Sequence, residues 1–269
     1  MGKKVKYSTN LFTNDLEGLS YFIGFLYSDG YVDLNNKALR ISSTDKDIIF
    51  KIKERLEYTG PIYKYEPKGI GTLPSYYLKL HGEIYKYIRS LGVQFSKDNH
   101  SLSNLNIKLD FYAFCRGFLD GDGHYQLRKN KNNESTLHYI NFLGRYTLLK
   151  EIQDKLNCGT LRVRKFSKVA SFNQTKQLYK LNVYTKEAYN LANKLYENAT
   201  IYMDRKYKTW LNCIPLKSER QRNEKGIYYL KNRRKCWAVD ILQKKVRYKK
   251  NFYTKEEAIS WRNSLDLNL

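Results

Sequence analysis

Two carboxylates stand out because the sequence around each of them occurs twice. Asp29 sits near the end of residues 22–30, FIGFLYSDG, and Asp122 holds the same place in residues 115–123, CRGFLDGDG. Each nonamer ends an apolar segment, and each acid is followed by a glycine. Read as helices, the two segments carry Gly24 and Gly117 where a bulky residue would hold two helices apart, and close helix contact through small residues is well attested. Parallel helices touching along those glycines would bring Asp29 and Asp122 together at one edge of the core. Two adjacent carboxylates in a basic protein suit a divalent cation.

The paired nonamers resemble the LAGLIDADG homing endonucleases in their single-chain, two-repeat form. Each copy keeps glycine at the third place, apolar residues at the fourth and fifth, and Asp-Gly at the eighth and ninth. The resemblance implies that Asp29 and Asp122 are the catalytic metal ligands, with Mg²⁺ or Mn²⁺ as cofactor. It also implies that the peptide carbonyls of Ser28 and Gly121 help hold the metal. Tyr27 departs from the pattern, where the second copy has Asp120, at a place that is not a ligand. The plain alternative is two buried helices whose Asp-Gly ends are ordinary C-terminal turns. Repetition far beyond the nonamers argues against it.

Positioning these acids requires two matching sets of elements, and the chain supplies them. In the first set, Asn14 and Glu17 have capping-box spacing ahead of the helical apolar residues Leu16, Leu19, Phe22, Ile23 and Leu26. A strand over 38–44, a helix over 47–56, strands over 62–65 and 76–80, and a helix over 83–91 follow. In the second set, Asp110 caps a helix over 111–120. A strand over 137–143, a helix over 148–156, strands over 161–166 and 178–184, and a helix over 186–195 capped by Thr185 complete it. Each set reads α-β-β-α-β-β-α, its first strand hidden in loop-like sequence near 31–34 and 125–127. The expected fold class is α+β, two pseudo-symmetric repeats over 1–107 and 108–214. The resemblance implies that they form a saddle.

Around Pro215 the composition changes. Residues 215–225 are charged and aperiodic, as a linker would be. Residues 226–269 then read as three short strands and one helix, with Thr254 and Glu257 spaced as a capping box. Trp237, Val239 and Ile241 share the face turned to that helix, while Lys245, Arg247 and Lys249 point the other way. The GIY start, the W-x-V-x-I strand and F-x-T-x-E-E-A resemble the APETALA/ethylene-response-factor domain and the arm-binding domain of integrases. That resemblance implies a small DNA-binding domain, against the alternative of a three-stranded cap.

The 269 residues carry 49 Lys plus Arg against 26 Asp plus Glu, a formal charge of +23, so a polyanion is the natural partner. Alternation assigns Arg40, Lys64 and Lys79, with Arg162, Arg164 and Lys180, to the outer sheet faces, among 25 tyrosines that offer ring area and hydroxyls. Lys97 and the Arg205–Lys206 pair fall at matching places near the repeat ends. They are the basic candidates for tuning water and phosphate charge at the active site. Double-stranded DNA is the expected partner, the chain acting as a monomer. No run near 18 apolar residues, secretory leader or transit leader is seen, so membranes and export are disfavoured. Four scattered cysteines imply a reducing interior, of a bacterial or phage-bearing cell or an organelle. Met1 and Leu269 lack splice-junction residues, an expectation against embedding in an intein.

Together these features point to a site-specific, metal-dependent endonuclease with a long pseudo-palindromic site, cutting both strands. Two readings from other classes stand beside it. One is a non-cleaving DNA-binding regulator on the same scaffold, which retention of both acids disfavours. The other is an RNA-binding intron maturase.

Overall fold

Helix α1, Leu16–Asp29, begins at Asp15, whose carboxylate accepts the Gly18 N–H at 2.9 Å. The cap is therefore Asp15 and not Asn14. Glu17 does not close a capping box but turns to the Arg116 guanidinium and the Thr200 hydroxyl. Every residue from Gly18 to Ser28 is buried, as in a helix enclosed on all sides. Helix α4, Phe111–Asp122, is its counterpart, capped as expected by Asp110, which accepts the Ala113 N–H at 3.0 Å. These two helices pack against each other more extensively than any other pair. A β-carbon on Gly24 would fall 2.1 Å from the Phe114 carbonyl oxygen, and one on Gly117 would fall 2.1 Å from that of Tyr21. The backbones touch there, and no side chain fits between them.

The computed structural model describes residues 6–8, 14–67, 73–94, 96–129, 136–164, 177–212, 226–229, 235, 237–243 and 246–265. After α1 come β1 (Gly30–Asp33), β2 (Ala38–Ser43), α2 (Lys46–Arg55), β3 (Tyr63–Tyr65), β4 (Ser75–His81) and α3 (Glu83–Ser90). After α4 come β5 (His124–Lys129), β6 (Thr136–Gly144), α5 (Tyr146–Leu156), β7 (Thr160–Val163), β8 (Tyr179–Tyr184) and α6 (Thr185–Tyr196). Both sheets are antiparallel with the same order, β1-β2-β4-β3 and β5-β6-β8-β7. The fold is α+β, and the order of elements expected from the repeats is present twice. One side of each sheet buries Leu39, Ile41, Leu78 and Leu80, or Ile140, Phe142, Leu181 and Val183, in a core shared with both motif helices. The other side carries Arg40 and Lys79, or Arg162 and Lys180.

Two details differ from expectation. Thr185 does not cap α6; it is its first residue, at φ +50°, and Tyr184 stands at the cap position without a side-chain bond. A further helix, α7 (Asp204–Leu211), follows α6 and seats Lys206 and Trp210 inside the molecule. Its composition, DRKYKTWL, is mostly polar, so apolar periodicity gave little sign of it.

The chain divides into two compact units, Met1–Cys213 and Ile214–Leu269. In the second, β9 (Ile227–Tyr229), β10 (Trp237–Gln243) and β11 (Val246–Phe252) form a sheet of order β11-β10-β9, followed by α8 (Lys255–Asn263). Thr254 and Glu257 make the expected capping box. Ile227, Val239, Phe252 and Ala258 form a separate small core, with Trp237, Ile241 and Trp261 against it. The linker expected at 215–225 lies outside the described residues.

Candidate metal centre and nucleic-acid interface

The C-terminal ends of α1 and α4 lie side by side because the glycine contact runs along both helices. A β-carbon on Gly121 would fall 1.9 Å from Ser28 Oγ and 3.2 Å from Asp29 Cγ. The first motif's carboxylate is thus laid against the second motif's backbone. Burial, and next the charge of Asp122, push the Asp29 carboxyl up to about 7, with Lys97 and Lys206 pulling the other way. Burial raises Asp122 too, opposed first by Lys97 and then by Lys206 and Arg164. Two acids that disfavour each other's ionisation are a ready site for a cation.

Lys97 stands between the motifs. Its ammonium donates to the Ser28 carbonyl and lies 3.6 Å from Asp122 Oδ2. A cation is therefore held by one motif's carbonyl and the other's carboxylate, two of the groups that the resemblance assigns to metal. The donor set of Asp29 and Asp122 carboxylates with Ser28 and Gly121 carbonyls is all oxygen, which fits hard divalent ions such as Mg²⁺ or Mn²⁺. Among the described residues no group of three or more His, Cys, Asp or Glu could hold a metal. The rest of such an ion's coordination would fall to water, backbone and phosphate oxygens.

Lys206 differs from its counterpart. Only 1% exposed, it donates to the carbonyls of Leu119, Asp120 and Gly123, the last two at 2.9 and 3.0 Å. The Leu119 carbonyl also accepts the Gly123 N–H at 2.9 Å, whereas those of Asp120 and Gly123 stand at the end of α4, where a helix leaves carbonyls without internal partners. Burial, aided by Arg205, pushes its ammonium down to about 8. The expectation that Lys206 tunes water and phosphate charge at the active site is corrected on that account, because its three N–H groups are already used. Arg205 instead pairs with Asp45 at 3.1 Å. Together with Asp29, Ser42, Ser75 and Gly121 these two line an open cleft beside the acids.

The sixth motif place also diverges. Tyr27 stacks on His100 with centroids 3.9 Å apart. Asp120, 1% exposed, accepts from Tyr21 Oη at 2.8 Å, Tyr196 Oη at 3.1 Å and the Met203 N–H at 2.8 Å. Sequence reasoning did not assign this buried acid a role, although its absence from the first copy was the available signal.

On the outer sheet faces, Arg40 lies directly opposite Lys79 and over the Tyr77 ring at 3.9 Å. Arg162 lies opposite Lys180. Arg164 continues the same side just past β7, near enough to Asp122 to affect its ionisation. Lys64 is different: its register partner is Tyr76, which shares a side with the buried Leu78 and Leu80. It belongs to the helix side at the sheet edge, paired with Glu66 at 2.5 Å. Counting only basic residues passed over the outer-face Tyr31, Asn141 and Asn182, which two-residue alternation would have included. In the second unit, Arg247 and Lys249 face away from the small core. Arg247 is bidentate to Asp240, both contacts 2.7 Å, and Lys249 lies 3.8 Å from the same carboxylate. Lys245 lies outside the described residues. Among the described residues no helix is long and apolar enough to cross a membrane.

No family model matches this chain, and no curated protein matches its sequence. Among solved structures it is similar to the LAGLIDADG meganuclease I-AabMI bound to uncleaved DNA, at 15% identity and a TM-score of 0.47, covering 72% of this chain and 88% of that one. It is also similar to the homing endonuclease I-WcaI bound to its DNA recognition sequence, at 18% and 0.46, covering 72% and 85%. A third is I-DmoI in complex with DNA and Ca, at 12% and 0.43, covering 73% and 98%. At such overlap and identity, the side chains of this chain must carry any functional conclusion.

Proposed function

We propose that this chain is a site-specific endonuclease of double-stranded DNA that works with Mg²⁺ or Mn²⁺, acting as a monomer with the two repeats as the halves of one enzyme. The observation that carries the reading is the meeting of Asp29 and Asp122 across the glycine contact, with the Lys97 ammonium between Ser28 O and Asp122. When bound, a divalent cation supplies an activated water and a charge sink for the phosphate. Asp29 and Asp122, helped by the Ser28 and Gly121 carbonyls, would hold it. Lys97, half-exposed at this point, can shift from Asp122 to a phosphate oxygen and offset charge there. One acid from each motif serves one strand, so the cut is double and staggered. Arg40, Lys79, Arg162, Lys180 and Arg164 bind the duplex on the outer sheet faces, Tyr77 adding ring contact. The second unit adds a further DNA contact through the Arg247 and Lys249 face, its charge reduced by Asp240.

The test is incubation in Mg²⁺ with a plasmid carrying the host locus without the insertion, and binding to the same DNA in Ca²⁺. Linear product supports the enzyme. Binding without cutting supports the regulator. Failure to bind this DNA, with tight binding of the host intron RNA, would replace the reading with the maturase.

A further inference from the structure

Helices α2 and α5 correspond position by position, since Ile48, Ile49 and Ile52 are buried in one as Leu148, Leu149 and Ile152 are in the other. On that match Asp45 corresponds to Arg145, and Lys51 to Glu151, so the charge is reversed at both places. Each helix is met by the segment that leaves the opposite repeat. Arg145 Nε lies 2.7 Å from Asp98, just after the first repeat's helices. Asp45 is paired with Arg205, in the first turn of α7 of the second. Glu151 accepts from Ser101 Oγ and the Leu102 N–H, both at 2.6 Å. Lys51 donates to the Tyr202 carbonyl at 2.9 Å and pairs with Asp204 at 2.5 Å.

We infer that these four contacts form a charge code that makes each repeat accept only its unlike partner, so the chain closes on itself and two copies cannot pair like half with like half. Two first repeats set face to face would place Asp45 against Asp98 and the Lys51 ammonium against the Ser101 and Leu102 donors. Two second repeats would set Arg145 against Arg205 and Glu151 against Asp204 and the Tyr202 carbonyl. The homotypic contacts are then like charge on like charge, acceptor on acceptor, or the Lys51 ammonium on the Leu102 N–H, with only the Ser101 hydroxyl able to turn and accept. The code is needed because the glycine contact cannot discriminate. Gly24 and Gly117 meet equivalent carbonyls, those of Phe114 and Tyr21, so that contact is the same whichever halves are paired. Pairing of like halves from two copies is the competing arrangement, and contacts that are unfavourable only in the wrong pairing are how specificity against it is built. The inference does not depend on whether the chain cuts DNA.

Exchanging the four helix residues between repeats, Asp45→Arg, Lys51→Glu, Arg145→Asp and Glu151→Lys together, mismatches every contact within a chain and matches every contact between like halves of two chains. The expected result, by light scattering on a size-exclusion column, is a species of twice the chain mass that dissociates on dilution, where the parent protein stays at one chain mass. A variant that stays at one chain mass at all concentrations overturns the inference, whatever its melting temperature. If the fourfold variant does not fold, Asp45→Arg and Arg205→Asp decide the matter, alone and together. Each alone should lower the melting temperature and the pair should restore most of the loss; simple addition of the two losses overturns it.

Discussion

Lys97 and Lys206 occupy matching places in the two repeats and have taken different work. Lys97 is half-exposed and spans the motifs, from the Ser28 carbonyl to the Asp122 carboxylate. Lys206 is sealed in, spending all its donors on carbonyls at the end of α4. The sixth motif place divides in the same way, Tyr27 stacking on His100 and Asp120 collecting three donors. Duplication thus kept what sets backbone geometry, the glycines and terminal acids, and released what surrounds them. The second repeat spends polar groups on fixing its own core, while the first leaves its lysine open to the site.

The largest effect should come from the part the halves share. Gly117→Leu drives a side chain into the Tyr21 carbonyl, and because the neighbour is backbone the cost should exceed about 3 kcal/mol, at or beyond the upper end for overpacking. Gly24→Leu should do the same, and an unchanged melting temperature for either would break the common geometry. The next effect sharpens the difference. Lys206→Met strands the carbonyls of Asp120 and Gly123 and should cost about 3 kcal/mol in stability. Lys97→Met should leave the melting temperature nearly unchanged and slow cleavage by about 10²-fold or more, the scale of losing one stabilising group at the developing charge. Equal stability losses for both would erase the distinction.

His100 gives a smaller and pH-dependent effect confined to the first repeat. Burial, reinforced by Lys97, pushes its imidazole down to about 4, while in the unfolded chain it titrates near its ordinary value. Between those values the unfolded chain binds the extra proton, so stability is lost as pH falls from about 6.5 towards 4, by about 3 kcal/mol. His100→Gln should flatten that part of the melting-temperature profile; an unchanged slope would show that His100 is not held neutral. The smallest effect on chemistry should follow deletion of Ile214–Leu269, a unit with its own core. Cleavage should persist, while the slope of log affinity against log salt falls by about 0.9 for each phosphate that the shortened chain no longer neutralises. An unchanged slope would leave that unit as a structural cap.

The paired nonamers, the order of elements and the Asp110 cap were legible because repetition and apolar spacing are local signals. The cap at Asp15 was not, since Asn14 beside it satisfied the same pattern and the choice depends on Arg55, forty residues away. Helix α7 was missed because a polar helix held by buried Lys206 and Trp210 has no long apolar stripe to announce it. Lys64 was assigned to the wrong side because strand parity is set by register, and its pairing with Tyr76 is a long-range fact. The fate of Lys206 was likewise invisible, since what saturates it is the distant end of another helix.

The proposed endonuclease requires Asp29 and Asp122 to act together, and cleavage measured against binding tests this most directly. Asp29→Asn and Asp122→Asn should each abolish linearisation of target DNA in Mg²⁺ while binding the same DNA in Ca²⁺ at least as tightly as the parent protein. Full cutting by either variant would contradict the joint role of the two acids.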